Sequence, residues 1–174
     1  MRKLKSIPEM AIGAALDKAL RYRLLNEPLE AESICLDMLA VDPDNQQALV
    51  TMLLAITDLF EEEYVDAFHR AKAVLPRLAG QYERAYYEGV IHERWGKAQA
   101  SRKVPSTAVS GWYLHAMHCF ERAEALAPPD NPDAILRYNT CVRMFERIAE
   151  VEAPAEQDLK RDVEAEFGEE VQTR

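Results

Sequence analysis

The sequence contains few of the residues that build disulfide-rich, collagen-like or membrane-spanning proteins. Its 174 residues include 3 cysteines, 6 glycines and 9 prolines. The cysteines (Cys35, Cys119 and Cys141) lie far apart and form no CxxC pair, which predicts buried free thiols in a reducing compartment rather than a zinc or redox site. No apolar run approaches the roughly 18 residues that a transmembrane helix needs, so we expect no membrane insertion.

Positive charge is also scarce. The chain carries 21 Lys and Arg side chains against 30 Asp and Glu side chains, for a net charge of −9. Because nucleic-acid binding depends on cationic side chains that displace counterions, we expect no nucleic-acid partner. A hydrophobic content of 48% is too high for a disordered chain, and the length suits one domain with its own core.

The N-terminal residues do not predict a secretory leader. Basic residues precede a short apolar run over 10–16, but Pro8 and Glu9 interrupt the approach to it. Asp17 ends the run after seven residues, and no small-residue cleavage site follows. We therefore expect a cytoplasmic protein, in a cytoplasm of the bacterial type.

The motifs of common catalytic and cofactor sites are missing as well. The sequence has no glycine-rich phosphate loop, no GxSxG and no HExxH, so we predict neither an enzymatic activity nor a cofactor. One alternative is a metal site, since His115 and His118 are three residues apart, Cys119 is adjacent, and His92 falls on the neighbouring predicted helix. Histidines often have such spacing in helical proteins by chance, and we predict no metal.

Apolar residues recur every three or four positions almost throughout, and alternating strand patterns are absent, which predicts an all-α protein. Ser6-Ile-Pro-Glu9 predicts a capping box at the first helix. The acidic cluster Glu61-Glu-Glu63 predicts the start of the fourth, because acidic side chains stabilise a helix N-terminus. Helix breakers divide the chain into eight predicted helices, at about 9–25, 29–40, 46–59, 61–80, 82–102, 107–127, 133–151 and 155–167.

Two segments of the sequence, 31–43 and 116–128, superpose without gaps. In each, an alanine is followed twelve residues later by a proline, and then by Asp-Asn and a new amphipathic helix. This pattern resembles the tetratricopeptide repeat (TPR). There, a small alanine lets two helices approach closely, a bulky residue four positions later fills the groove between them, and a proline ends the second helix.

The resemblance covers most of the chain. Ala19 stands where the family usually has glycine, Tyr22 stands at its tyrosine position, and Gly89 occupies the glycine position of the third repeat. The resemblance implies a right-handed superhelical stack of antiparallel helix pairs, a TPR-like α-solenoid of three to four repeats. These repeats begin near 12, 46, 81 and 133.

We expect two parts of unequal size, a TPR-like repeat domain over 1–151 and an acidic C-terminal capping helix and tail over 152–174. Residues 150–174 hold nine acidic and three basic side chains, and therefore −6 of the net charge. A charged run of this kind is usually a solvated face. The alternative is that it competes for the arginines of a binding groove.

The third repeat contains an insertion. Ala67 and Ala116 are 49 residues apart, which is fifteen more than the 34 residues of one repeat. The extra residues predict an elongated, protruding third hairpin with its tip near 104–109. Lys97, Arg102 and Lys103 give this hairpin a basic spot, which is either a solvated extension or a docking element.

In the family that the chain resembles, the first helix of each pair lines the concave, ligand-binding face. Such a groove, apolar with a few arginines, suits a helix or an extended peptide with apolar anchors and some acidic groups. It lacks the lysine and asparagine of the family's carboxylate clamp, whose positions are taken by leucines. The resemblance implies these groove residues: Leu16, Leu20, Arg23, Leu24, Gln47, Val50, Leu54, Asp58, Tyr86, Val90, Glu93, Arg94, Leu136, Thr140 and Arg143.

We therefore predict a non-enzymatic scaffold or adaptor that holds a peptide or helix of a partner protein in this groove. Two alternatives are a chaperone of secreted or assembling proteins, and a self-assembling structural protein that forms homo-oligomers through its aromatic third hairpin. A further alternative is that one of the chain's own terminal segments fills the groove.

Overall fold

The computed structural model describes residues 3–62 and 64–148, without the side chains of 64 and 65, and this part of the chain is helical. It contains no strand in the described ranges, which confirms the predicted all-α class. Two short 3-10 helices, Glu9–Ala11 and Leu75–Arg77, flank longer elements. The seven α-helices are α1 (Ile12–Leu24), α2 (Pro28–Val41), α3 (Gln46–Asp58), α4 (Tyr64–Val74), α5 (Gln81–Ser101), α6 (Ser106–Glu124) and α7, described over 133–148.

The predicted bounds of α2, α3 and α5 are confirmed to within one residue. Strong local signals explain this agreement. Pro28 is the first residue of α2, where its missing N–H needs no partner. Asn45 caps α3, because its Oδ1 accepts a hydrogen bond from the N–H of Ala48 at 2.9 Å. The eighth predicted helix and the segment 152–174 lie outside the described residues.

One predicted helix cap and one predicted helix start are wrong. The first helical residue is Glu9, which follows Pro8, and no side chain caps this 3-10 turn. The hydroxyl of Ser6 instead donates to the carbonyl oxygen of Ile7 at 3.3 Å, because Ser6 lies too far before the first turn to form a capping box. At the fourth helix, Glu61 and Glu62 lie in a turn and α4 begins at Tyr64, so the acidic cluster precedes the helix.

Consecutive helices pack against each other from α1 to α4, and α5 packs along α6. The odd-numbered helices also touch, since α1 contacts α3 and α3 contacts α5. This arrangement places α1, α3 and α5 side by side. Among the described residues, no helix is both long and apolar enough to cross a membrane.

Small residues permit the close contacts between helices. Ala31, Ala67 and Ala116, the alanines of the repeat pattern, are completely buried. Gly89 of α5 faces the ring of Phe120 on α6, which is also completely buried, and a Cβ atom built on Gly89 would lie 2.6 Å from this ring. The helices approach more closely here than a larger side chain would allow.

The third hairpin is elongated, as predicted, with 21 residues in α5 and 19 in α6 against 11 to 14 in the first four helices. The prediction that it protrudes freely needs correction. Trp95 is buried and meets the ring of Phe60 edge-on, with ring centroids 5.4 Å apart. Near the tip, the guanidinium of Arg102 donates to the carbonyl oxygen of Glu61. The hairpin therefore packs on the α3–α4 turn, where Trp95 is buried against Phe60.

We expect Gly89→Ala to lower the free energy of unfolding by about 1–3 kcal/mol, because the buried Phe120 ring must shift to admit the new methyl group. Urea denaturation measures this difference. Gly111→Ala is the matched control on α6, where a Cβ atom would meet nothing within 4 Å. The control gains helix propensity and is expected to be neutral or stabilising by up to about 1 kcal/mol. Equal stability of the two variants would contradict the close contact.

Candidate functional site

Two open cavities lie along the face that α1, α3 and α5 form, and together we call them the groove; the first is largely apolar. A cavity of about 360 Å³ lies between the N-terminal halves of α1 and α3 and the side of α5. Leu20 is 41% exposed in it, although the neighbouring Ala19 is completely buried in the core. We call this cavity the apolar half of the groove, and its lining residues are Leu16, Leu20, Gln46, Gln47, Val50, Thr51 and Tyr87.

The second part of the groove lies toward the C-terminal ends of α1 and α3 and is charged. It is a cavity of about 400 Å³ that also borders α7. We call it the charged half of the groove, and its lining includes Asn26, Thr57, Asp58, Glu61, Glu93, Arg94, Lys97 and Arg137.

Asp58 connects three helices at the border of the charged half. The Nε of Arg23 on α1 donates to Oδ2 of Asp58 at 2.9 Å. From α5, Arg94 donates to Oδ1 of the same carboxylate and to the hydroxyl of Thr57 at 2.8 Å. The three charged side chains are only 17 to 25% exposed, so their interaction is screened less than that of a surface ion pair. One aspartate therefore holds two arginines in place.

A second ion pair joins α5 to α7. The guanidinium of Arg137 lies 3.2 Å from both carboxylate oxygens of Glu93. Burial raises the pKa of Glu93, and the charge of Arg137 opposes this shift. The lining of the charged half itself is balanced, with three cationic side chains (Arg94, Lys97 and Arg137) and three acidic ones (Asp58, Glu61 and Glu93). Arg23, which pairs with Asp58 from outside that lining, adds a fourth positive charge beside it.

The structure brings about half of the predicted groove residues together. The apolar half contains Leu20 and Val50, and Arg23, Asp58 and Arg94 meet in the charged half. The side chain of Leu54 lies between the two halves on α3 and is half-buried.

The remaining predicted groove residues are placed elsewhere. Val90 is completely buried in the core, so its assignment to the ligand face is corrected: this side of α5 faces α6 and α7. Tyr86 stacks on Tyr82, with ring centroids 5.7 Å apart. The others are exposed outside both cavities, namely Leu24, Leu136, Thr140 and Arg143.

Sequence reasoning did not assign Tyr87, Lys97 and Arg137 to the groove, and it named Lys97 only in the basic spot of the third hairpin. Two of them are direct neighbours of predicted residues, since Tyr87 follows Tyr86 and Arg137 follows Leu136. One residue corresponds to a rotation of about 100° around a helix, and the repeat resemblance does not fix the helix phase that finely. The position of Tyr87 could have been found from Arg94, which was predicted to face the groove. Tyr87 lies seven residues, or two helical turns, before Arg94 and therefore on the same face of α5.

The histidines do not converge on a metal. His92 is only 7% exposed, and its ring stacks on Trp112 and His115 with centroids 5.5 and 5.6 Å apart. His118 is exposed instead, with Nδ1 3.9 Å from a carboxylate oxygen of Glu121. No group of three His, Cys, Asp or Glu side chains within 3–62 and 64–148 is arranged to hold a metal ion.

The three cysteines are buried and free, as predicted. Burial raises the pKa of Cys35 and Cys141 to about 12 and that of Cys119 to about 11. Thiols with such pKa values remain protonated at neutral pH, which excludes them as ready nucleophiles.

Compared with protein-family models, with curated proteins and with solved structures, the chain matches none. A helical architecture by itself does not identify a family or a function. The functional inference therefore depends on the residues of the groove.

We expect Asp58→Ala to lower the free energy of unfolding by about 1–3 kcal/mol, because Arg23 and Arg94 would face each other without their shared counterion. Asp66→Ala is the control, since it removes an aspartate that is 77% exposed and paired with Arg70 one turn away. The control is expected to change stability by less than about 0.5 kcal/mol. Urea denaturation of both variants tests this, and an equal loss in the two would contradict the bridging role of Asp58.

Protonation of His92 is expected to destabilise the fold in acid. Burial, together with the charge of Lys72, lowers the pKa of His92 to about 4, whereas an unfolded histidine titrates near 6.5. Between these values only the unfolded chain binds the proton. Proton uptake by His92 therefore lowers the free energy of unfolding as the pH falls, by about 2–3 kcal/mol between pH 7 and pH 4.5.

His92→Phe removes this pH-dependent loss of stability. Urea denaturation at pH 7 and pH 4.5 measures the difference. The free energy of unfolding of the variant should fall less between pH 7 and pH 4.5 than that of the wild type. His118→Gln, at an exposed histidine, should keep the wild-type dependence. A wild-type slope in His92→Phe would rule out this histidine as the source.

Proposed function

We propose that the chain is a non-enzymatic protein-interaction module, a right-handed stack of TPR-like helix pairs that holds a segment of a partner protein in its groove. The observation that carries the proposal is the groove itself. Solvent-accessible apolar side chains, among them Leu20, line one half of it, and a charged half adjoins on the same three helices. Exposed apolar surface with a polar border is typical of interaction sites.

The apolar half supplies the attraction. Burying a leucine, isoleucine or phenylalanine anchor against Leu20, Val50 and Tyr87 contributes about 1.5–3 kcal/mol per anchor. A few such anchors suffice for micromolar affinity once the loss of rotational and translational freedom is subtracted.

The ion pairs of Asp58 with Arg23 and Arg94, which we call the Asp58 bridge, supply rigidity. The bridge fixes α1, α3 and α5 relative to each other through Arg23 and Arg94, so the groove exists before a partner arrives. A preformed groove loses less conformational entropy on binding. The three buried free thiols support a reducing compartment such as the cytoplasm.

A library of random 16-residue peptides displayed on phage, selected on the immobilised purified protein, tests the proposal. Recovered peptides should bind wild type with micromolar or better affinity by fluorescence anisotropy. Leu20→Glu places a charge in the apolar half and should weaken binding at least tenfold.

Leu36→Glu is the matched control, because Leu36 is 54% exposed on α2 and lines neither half of the groove. It should bind as wild type does. If no recovered peptide distinguishes Leu20→Glu from Leu36→Glu while both variants remain folded by circular dichroism, the groove is not the interaction site.

A further inference from the structure

We infer that the partner segment is an amphipathic helix with an apolar anchor and a carboxylate seven or eight residues apart. This inference rests on the proposed function and adds to it the secondary structure, the chemistry and the spacing of the ligand. Three features of the groove support this inference. They are the distance between the two halves, the exposed cations of the charged half, and the small number of available hydrogen-bonding groups in the apolar half.

The spacing follows from α3, which borders both halves. Val50 lines the apolar half and Asp58 lines the charged half, eight residues further along the same helix. Eight residues of α-helix rise about 12 Å. A helical partner lying along α3 spans this distance with the same number of residues, and positions seven apart share one face most closely.

The carboxylate follows from the charges. Asp58 is shared between Arg23 and Arg94, so one aspartate neutralises two arginines only in part. Lys97 is exposed in the same cavity, and the side chain of Arg137 remains 36% exposed beside Glu93. A negative group from a partner would pair with these exposed cations, and planar carboxylates match the geometry of guanidinium groups.

The helical conformation follows from hydrogen bonding. An extended peptide needs partners for its backbone N–H and C=O groups wherever it is buried. In the apolar half, the side chain of Gln46 is already bonded to the main chain at Asp44 and Ala79, and Thr51 is only 3% exposed. The amide of Gln47 and the hydroxyl of Tyr87 are then the remaining polar groups of that lining, too few to pair the backbone of an extended peptide. A helix satisfies its own backbone and needs only side-chain contacts.

The experiment uses the peptides recovered above that depend on Leu20. We expect their sequences to carry an acidic residue seven or eight positions from an apolar anchor. Replacing that acidic residue by its amide should weaken binding to wild type about tenfold or more. Circular dichroism of the complex should show helix content above the sum of the separate components.

Variants of the groove connect this loss to the charged half. Lys97→Gln, at an exposed lysine, should weaken binding of the acidic peptide but not of its amide form. Arg94→Gln should do so more strongly. Arg122→Gln removes the same charge from an arginine that is 53% exposed on α6, outside the groove, and should leave both affinities unchanged.

The outcomes separate the two proposals. Peptides that depend on Leu20 but bind equally well without the acidic residue, or bind without gaining helix, overturn this inference and leave the proposed function standing. A library without any peptide that depends on Leu20 overturns both. Equal losses in Lys97→Gln and Arg122→Gln would show that only the net charge of the protein matters, which also overturns the inference.

Discussion

Close contact between helices is the constraint on which the other features of this structure depend. Ala31, Ala67 and Ala116 are completely buried, and Gly89 lies directly against the ring of Phe120. Small side chains at these positions let neighbouring helices approach until their larger residues interlock. In this packing α1 contacts α3 and α3 contacts α5, so the three helices present one side of the molecule together.

That face combines two physical environments that serve different purposes. Its apolar half exposes Leu20 and leaves Tyr87 partly buried, and the exposed apolar surface becomes favourable once a partner covers it. Its charged half places Arg23, Asp58 and Arg94 in partial burial, where an ion pair requires good geometry to offset its desolvation. The bridge meets that requirement through several hydrogen bonds, and it holds the three helices that carry the apolar half.

The elongated third hairpin has a structural role in the same arrangement. It packs Trp95 against Phe60 and Trp112 against His92, so the hairpin contributes aromatic rings to the core. An aromatic core of this kind buries polar atoms as well. The Nδ1 of His92 is buried without a hydrogen-bond partner in the described part of the chain. Burial of the ring, with the charge of Lys72, lowers the pKa of this histidine and favours its neutral form.

The sequence by itself determined the helical class, most helix bounds and the buried alanines, because periodicity, prolines and caps such as Asn45 are local signals. It did not determine which side of each helix faces the groove, and it placed Val90 there although that residue is in the core. Only the tertiary structure decided which side of each helix faces the groove. A shift of one residue around α5 places Tyr87 in the groove instead of Tyr86. The meeting of Arg23, Asp58 and Arg94 depended on the tertiary structure as well, because these residues are 35 and 36 positions apart in sequence and only the packing of three helices brings their charges together.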